Sequence, residues 1–166
     1  QYRVNLTKLF NMQKSLDRYI EEGNHLQHED LFDRKILALL VEVGELANET
    51  RSFKFWSKKG PSEKTVILEE YVDGLHFILS IGLEKGLEQE MELDSKGIEV
   101  DTVTGQFLEV FESIQQFRQK KSLDAYKELF LQYITLGDML GFSMEEVEQA
   151  YFNKNEVNYK RQQEGY

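Results

Sequence analysis

The sequence predicts an all-α protein, a helical bundle of about six helices, and three observations lead to this class. Leu, Glu, Lys and Gln are common. Runs that alternate apolar and polar residues, as strands do, are scarce. Pro61 is the only proline among 166 residues, so little in the chain interrupts long helices. This length is that of one domain, and we treat residues 1–166 as a single domain.

Turn and capping residues divide the chain into these helices. Gly23 and Gly86 end the first and the third helix, because glycine readily takes the backbone conformation that follows a helix. Ser62, in the turn "KKGPS", is expected to cap the third helix, and Ser143 with Glu146 fits a capping box before the sixth. The helices are expected from about Leu6 to Glu22, Leu31 to Phe55, Ser62 to Lys85, 103 to 120, Ser122 to Gly141, and from Ser143 onward.

Two stretches lack a clean apolar period. Residues 87–101 ("LEQEMELDSKGIEVD") are acidic and aperiodic, so we expect a loop there. The C-terminal segment 151–166 ("YFNKNEVNYKRQQEGY") is either a frayed surface terminus or a cationic arm that closes over a bound triphosphate. Its polar residues at helical spacing are Lys154, Asn155, Asn158, Arg161 and Gln162.

The composition excludes several classes of function. The formal net charge of −10 disfavours binding to a nucleic-acid backbone, which relies on clustered Lys and Arg. A single nucleotide accompanied by metal ions stays compatible with this charge. No apolar run approaches the ~20 residues of a membrane span, so we expect no membrane association. Cysteine is absent and no signal-peptide pattern is visible, which fits a reducing cytoplasm.

Carboxylates interrupt the apolar pattern of the second and third helices. Glu42, Glu45 and Glu49 lie within a sector of roughly 60° on the second helix. Glu70 and Asp73, in "EEYVDGLH", share one face of the third. The short connection between these helices should make them antiparallel neighbours, so their acidic faces can meet. Several carboxylates in a groove of low dielectric repel one another, and oxygen ligands of this kind suit Mg²⁺ or Mn²⁺.

Other interpretations of these residues stay open. Both acidic faces could be solvated surfaces of ordinary amphipathic helices. A di-iron centre is disfavoured because it needs two Glu-x-x-His motifs on separate helices. Here "DGLH" begins with Asp73, and "EGNH" contains Gly23 at a helix end. His76 is either a substrate contact or a partner of a carboxylate.

An aromatic and basic segment follows the acidic helix. "SFKFWSKK" at 52–59 places Trp56, the only tryptophan, among three lysines. The ring could stack on a nucleobase while the amines meet phosphate. Alternatively, the ring anchors a helix end and the lysines are solvated.

Taken together, these motifs resemble those of a known family. Glu-x-x-Glu at Glu42 and Glu45, followed by Glu-x-x-Asp at Glu70 and Asp73, resembles the metal motif of the all-α NTP pyrophosphohydrolases, the MazG-like superfamily. The chain is more closely similar to the dimeric dUTPases of Gram-positive bacteria and their phages. The stretches that carry this similarity are 9–17, 39–57, 68–82 and 151–166.

The resemblance implies an activity and an assembly. We expect a cytoplasmic homodimer, bacterial or phage-encoded, that hydrolyses dUTP to dUMP and pyrophosphate and also accepts dUDP. Such an enzyme keeps uracil out of DNA and supplies dUMP. The alternatives are the same hydrolysis of another non-standard nucleotide and a role as partner of a regulatory protein beside catalysis. A purely structural helical bundle is a third possibility.

The resemblance also implies roles for individual residues. Glu42, Glu45, Glu70 and Asp73 would bind Mg²⁺, with Mn²⁺ as a substitute. Glu42 and Glu45 are the expected catalytic residues, and Glu42 would orient or deprotonate the attacking water. Many relatives have Asn at the position of Asp17, so the base contact of Asp17 stays open. The expected substrate contacts are Gln13, Asp17 and Trp56 at uracil, His76 and Phe77 at deoxyribose, and Lys58, Lys154, Asn155, Arg161 and Tyr166 at the phosphates or closing the site.

Overall fold

The protein is an all-α bundle, as the sequence predicts. The structure is a computed structural model that describes residues 6–88, 91, 93 and 102–166. Within these residues the chain forms six helices and no strand. No helix there is long and apolar enough to cross a membrane. The helices are α1 (Leu6–Gly23), α2 (Phe32–Thr50), α3 (Lys64–Glu84), α4 (Val103–Lys120), α5 (Leu123–Met139) and α6 (Met144–Gln163).

Hydroxyl side chains begin the last three helices. Thr102 and Ser122 each accept a hydrogen bond from a backbone N–H three residues on, at the starts of α4 and α5. Ser143 and Glu146 form the expected capping box before α6. Most of 87–101, the expected acidic loop, lies outside the described residues.

The second helix ends earlier than its sequence predicts. The expected end near Phe55 is wrong, because Arg51 takes a left-handed conformation (φ 58°) directly after Thr50. The Arg51 guanidinium then donates to the hydroxyl of Ser57 and the carbonyl of Lys59. These contacts hold the aromatic segment 52–59 in turns, so it does not continue the helix.

Ser62 does not cap the third helix, which corrects a second expectation. The residue that precedes α3 is Glu63, whose side chain makes no capping hydrogen bond. Ser62 instead donates its hydroxyl and its N–H to the carboxylate and the carbonyl of Glu49. It therefore ties the end of α2 to the start of α3.

The C-terminal segment is helical rather than frayed. α6 continues to Gln163, and its side chains Tyr151, Lys154 and Asn155 are buried. Packing against α1 and α3 maintains the helix where the sequence is too polar to indicate it.

Polar contacts define how the helices run. Lys35, near the start of α2, pairs with Glu84 at the end of α3 at 2.8 Å, so these two helices are antiparallel. α1, α3 and α6 run in the same direction, because residues later in one helix contact residues later in its neighbour. These contacts pair Gln13 with His76, Asp17 with Ser80, Lys64 with Glu146, and Glu69 with Lys154.

Two tyrosines hold α3 against α5. The hydroxyl of Tyr71 donates to the carbonyl of Tyr133 at 2.8 Å, and the hydroxyl of Tyr133 donates to the carbonyl of Tyr71 at 2.5 Å. A Cβ at Gly74 would lie 2.2 Å from the Tyr133 hydroxyl oxygen, and one at Gly137 would lie 2.4 Å from that of Tyr71. Glycine is required at both positions, and Gly74 directly follows Asp73, so this packing sets where Asp73 lies.

Candidate active site

Three carboxylates converge where α2 meets α3. Glu42 and Glu45 are three residues apart on one face of α2, and Glu70 faces them from α3. Each residue offers a carboxylate oxygen, and these oxygens lie within 4.8 Å of one another. We call these residues the carboxylate cluster. Glu45 is exposed, whereas Glu42 and Glu70 are half-buried.

The cluster carries more negative charge than its surroundings compensate. Burial, followed by repulsion from Asp73 and Glu45, raises the pKa of Glu42 to about 8. The same causes raise the pKa of Glu70 to about 7. One oxygen of Glu42 and one of Glu70 are buried without a hydrogen-bond partner among the described residues. The arrangement therefore suits a cation, and its all-oxygen donor set suits a hard divalent one.

Asp73 lies beside the cluster and already has a cationic partner. The Nζ of Lys154 is 3.2 Å from Asp73 Oδ1 and 2.9 Å from Glu69 Oε1. Burial raises the pKa of Asp73 above its ordinary value, although Lys154 opposes this shift. α6 thus supplies a buried ammonium group where the sequence suggested a phosphate contact.

A cavity of about 220 Å³ adjoins the carboxylate cluster between α1, α3 and α6. We call it the adjoining cavity. Glu42 and Asp73 line one part of it. A larger groove of about 350 Å³ lies on the other side of Asp17, and no cluster residue lines it. The residues that line the adjoining cavity are Gln13, Leu16, Asp17, Ile20, Glu42, Asp73, His76, Phe77, Ser80, Asn158 and Arg161.

A hydrogen-bonded network forms part of the cavity wall. Gln13 Nε2 donates to Asp17 Oδ1 at 2.9 Å, and Ser80 Oγ donates to Asp17 Oδ2 at 2.7 Å. Gln13 Oε1 lies 2.6 Å from His76 Nδ1 and accepts from the Tyr151 hydroxyl at 2.9 Å. We call these five residues the Gln13 network. Gln13 is only 3% exposed, so its amide is held in place.

His76 is neutral and has one unused nitrogen. Burial, with a smaller contribution from Lys154, lowers the pKa of His76 to about 3. The ring stacks on Tyr151, with centroids 4.3 Å apart. Its Nε2 atom is buried, and no hydrogen-bond partner for it occurs in the part of the chain that the structure describes. An unpaired acceptor in a cavity wall is a place for a ligand donor.

Several residues expected at the site do not line the adjoining cavity. Trp56 is 64% exposed and packs edge-on against Phe55, and Lys58 is also exposed. Tyr166 is exposed at the C-terminus, where the Arg161 guanidinium lies over its ring at 4.8 Å. Asn155 is buried, and its Nδ2 atom has no partner among the described residues.

Tyr151 is a site residue that the sequence interpretation missed. It binds Gln13 and covers one face of the His76 ring. The signal was available, because Tyr151 precedes Lys154, Asn155 and Asn158 at intervals of three, four and seven residues on one helical face.

Comparison with known proteins identifies a family. A family model described as dUTPase matches residues 5–166, nearly the whole chain. No curated protein matches the chain.

Proposed function

We propose that this chain, which belongs to the all-α dUTPase family and is a dUTP diphosphatase, depends on Mg²⁺ to hydrolyse dUTP to dUMP and pyrophosphate. We propose dUDP as a second substrate. The observation that carries the metal dependence is the convergence of three carboxylate oxygens within 4.8 Å, beside a cavity.

The residues that would hold the metal are Glu42, Glu45, Glu70 and Asp73. Their donors are all carboxylate oxygens, and the unpartnered oxygens of Glu42 and Glu70 are available as ligands. A bound Mg²⁺, or Mn²⁺ in its place, would neutralise phosphate charge and lower the pKa of a water molecule.

Glu42 is the best candidate for the general base. Of the cluster residues, Glu42 alone also lines the adjoining cavity, so it lies between the metal ligands and the bound nucleotide. Its carboxylate can orient the attacking water and accept its proton, and Glu45 would support it from the same face. A water attack on phosphorus requires no nucleophilic side chain and no covalent intermediate.

The nucleotide can be oriented along α3. Because a helix rises about 1.5 Å per residue, Ser80 lies about 10 Å beyond Asp73. Phosphates near Asp73 would place the sugar beside His76 and Phe77. The uracil would then lie near Ser80 and near Asp17 of α1, which accepts a hydrogen bond from the Ser80 hydroxyl.

The cationic and C-terminal residues would complete the phosphate site. Arg161 lines the cavity, and we propose that it binds a phosphate when segment 151–166 closes the site. Lys154 and Asn155 would act from the same helix. We propose that Trp56 and Lys58 reach the nucleotide by movement of their segment or from a second copy of the chain, and that Tyr166 closes over the site.

We propose that the enzyme is a homodimer. Leu37 on α2 is 62% exposed and Leu108 on α4 is 65% exposed, and Val41 lies one turn from Leu37. Large apolar side chains on adjacent helices favour a protein interface. Sedimentation equilibrium tests this: the native chain should sediment as a dimer and Leu37→Glu should shift it toward monomer. A monomeric native chain would exclude the dimer.

A panel of nucleotides with Mg²⁺ tests the substrate. dUTP should be hydrolysed faster than dCTP and dTTP. dCTP is the informative competitor, because the cytosine amino group could donate to an ionised Asp17 as the uracil N–H does. A preference for dUTP would therefore require further contacts with the base. If dUTP is no better a substrate than dCTP or dTTP, the proposed specificity for dUTP is wrong.

A further inference from the structure

The hydrogen bonds of the Gln13 network can run in only one direction. Burial raises the pKa of Asp17, but Lys35 and the hydrogen bonds from Gln13 and Ser80 oppose this shift and favour the carboxylate. An ionised Asp17 cannot donate, so the Gln13 atom 2.9 Å from it must be the amide nitrogen. The amide oxygen therefore faces Tyr151 and His76. Rotating the amide would place its oxygen against the carboxylate oxygen of Asp17, two acceptors with no hydrogen between them.

This direction sets the tautomer of His76. Because Gln13 Oε1 only accepts, the His76 Nδ1 atom that lies 2.6 Å from it must carry a hydrogen. A neutral imidazole has one N–H, so His76 Nε2 is left with a bare lone pair. That atom is the buried nitrogen without a partner.

We propose that Gln13 is a positioning residue that holds His76 as its Nδ1–H tautomer, and that His76 Nε2 accepts a hydrogen bond from the 3′-hydroxyl of the substrate. The choice of a deoxynucleotide rests on the function proposed above. The resulting acceptor selects nucleotides that carry this hydroxyl.

The position of His76 favours the sugar over the base as its partner. His76 follows Asp73 by about 4.5 Å along the helix axis, and Ser80 lies about 6 Å farther on. Phosphates bound near Asp73 bring the deoxyribose to His76 and the base N–H toward Asp17. The 3′-hydroxyl is the only free hydroxyl of dUTP, so it is the available donor at this depth.

The tautomer can be observed directly in the free protein. The chain has three histidines, and His25 and His28 are exposed. In long-range ¹H–¹⁵N spectra of ¹⁵N-histidine-labelled protein, His76 should show a protonated Nδ1 and an unprotonated Nε2. A protonated Nε2, or rapid averaging of both tautomers, would overturn the assignment.

Matched variants separate the role of Gln13 from general packing. Gln13→Met removes the acceptor at similar volume, and the His76 signals should shift toward a mixture of tautomers. Tyr151→Phe keeps the stacked ring and leaves Gln13 in place, so the Nδ1–H tautomer should persist. A retained pure tautomer in Gln13→Met would show that Gln13 does not set it.

A substrate pair tests the hydroxyl. The native enzyme should prefer dUTP over 2′,3′-dideoxyuridine triphosphate by about tenfold or more in kcat/KM, because the analogue leaves a buried acceptor unpaired. In His76→Phe both rates should fall and the preference should collapse toward unity. Equal rates for the two nucleotides in the native enzyme would refute the hydroxyl contact. Absence of dUTP hydrolysis would instead refute the proposed function, while the tautomer measurement would still stand.

Discussion

The carboxylate cluster and the Gln13 network both include side chains of α3, yet they satisfy their polar atoms differently. In the network, Asp17 accepts two hydrogen bonds and Gln13 is engaged at both its nitrogen and its oxygen. In the cluster, Glu42 and Glu70 each keep a buried oxygen without a partner among the described residues. The network is nearly complete within the described residues, whereas the cluster leaves carboxylate oxygens that suit a cation.

This contrast teaches which buried polar atoms point to a ligand. Burial alone does not point to a ligand, since most residues of the network are as inaccessible as core residues. A buried polar atom without a partner does, because leaving it unsatisfied costs free energy that a ligand can recover. By this measure His76 Nε2 is the one atom of the network that resembles the cluster.

The largest expected effect is on the chemistry at the cluster. Glu42→Gln should lower kcat at least ~100-fold, because it removes the proposed base. Steady-state hydrolysis of dUTP measures this. Glu49→Gln is the matched control on the same helix, since Glu49 bonds to Ser62, and it should retain most activity. Normal turnover by Glu42→Gln would remove Glu42 from the role of base.

The second effect is on the stability of the network. Gln13→Leu should lower the free energy of unfolding by about 3 kcal/mol, because it leaves the His76 donor unpaired and Asp17 with one donor fewer. It also leaves the Tyr151 hydroxyl with only its longer contact to the Leu9 carbonyl, at 3.4 Å. Urea unfolding measures the change. Gln149→Leu, at an exposed site on α6, should change it little. An equally stable Gln13→Leu protein would contradict the view that the network stabilises the fold.

The third effect is a dependence of stability on pH that originates in the cluster. Folding raises the pKa of Glu42 from an ordinary 4.5 to about 8. Its contribution to stability is therefore full below about 4.5 and is lost as the pH rises through about 8. The Tm of metal-free protein should fall over this range by more in the native chain than in Glu42→Gln.

The effect of Mg²⁺ on the Tm complements the pH measurement. At about pH 8 the metal should raise the Tm, and an excess of 100 times Kd would stabilise the fold by about 2.7 kcal/mol. As a control, Glu29→Gln at the exposed ion pair with Arg34 should leave the response of the Tm to Mg²⁺ unchanged. A Tm that does not respond to Mg²⁺ would argue against a metal site in the free enzyme.

The smallest effect distinguishes two buried serines on helices. Ser80→Ala removes a hydrogen bond to the carboxylate of Asp17 and should lower the free energy of unfolding by about 1 kcal/mol. Ser113→Ala removes only a bond to the carbonyl of Glu109 in its own helix and should cost less. Equal losses in both variants would show that Asp17 does not depend on Ser80.

Local signals in the sequence were enough for the fold class and for much of the cluster. The spacing of Glu42 and Glu45 is a property of one helix, and so is the capping box of Ser143 and Glu146. These features depend on residues three apart, so a helical period predicts them. The roles of the individual substrate contacts remain predictions.

Contacts between distant residues decided the rest. α2 ends at Thr50 because Arg51 finds partners beyond the turn, and α6 remains helical because its buried face packs on α1 and α3. The pairing of Lys154 with Asp73 and the tautomer of His76 depend on side chains from separate helices. A periodic pattern shows which face of a helix is buried, but only the packed bundle determines which polar atoms find partners and which are left for a ligand.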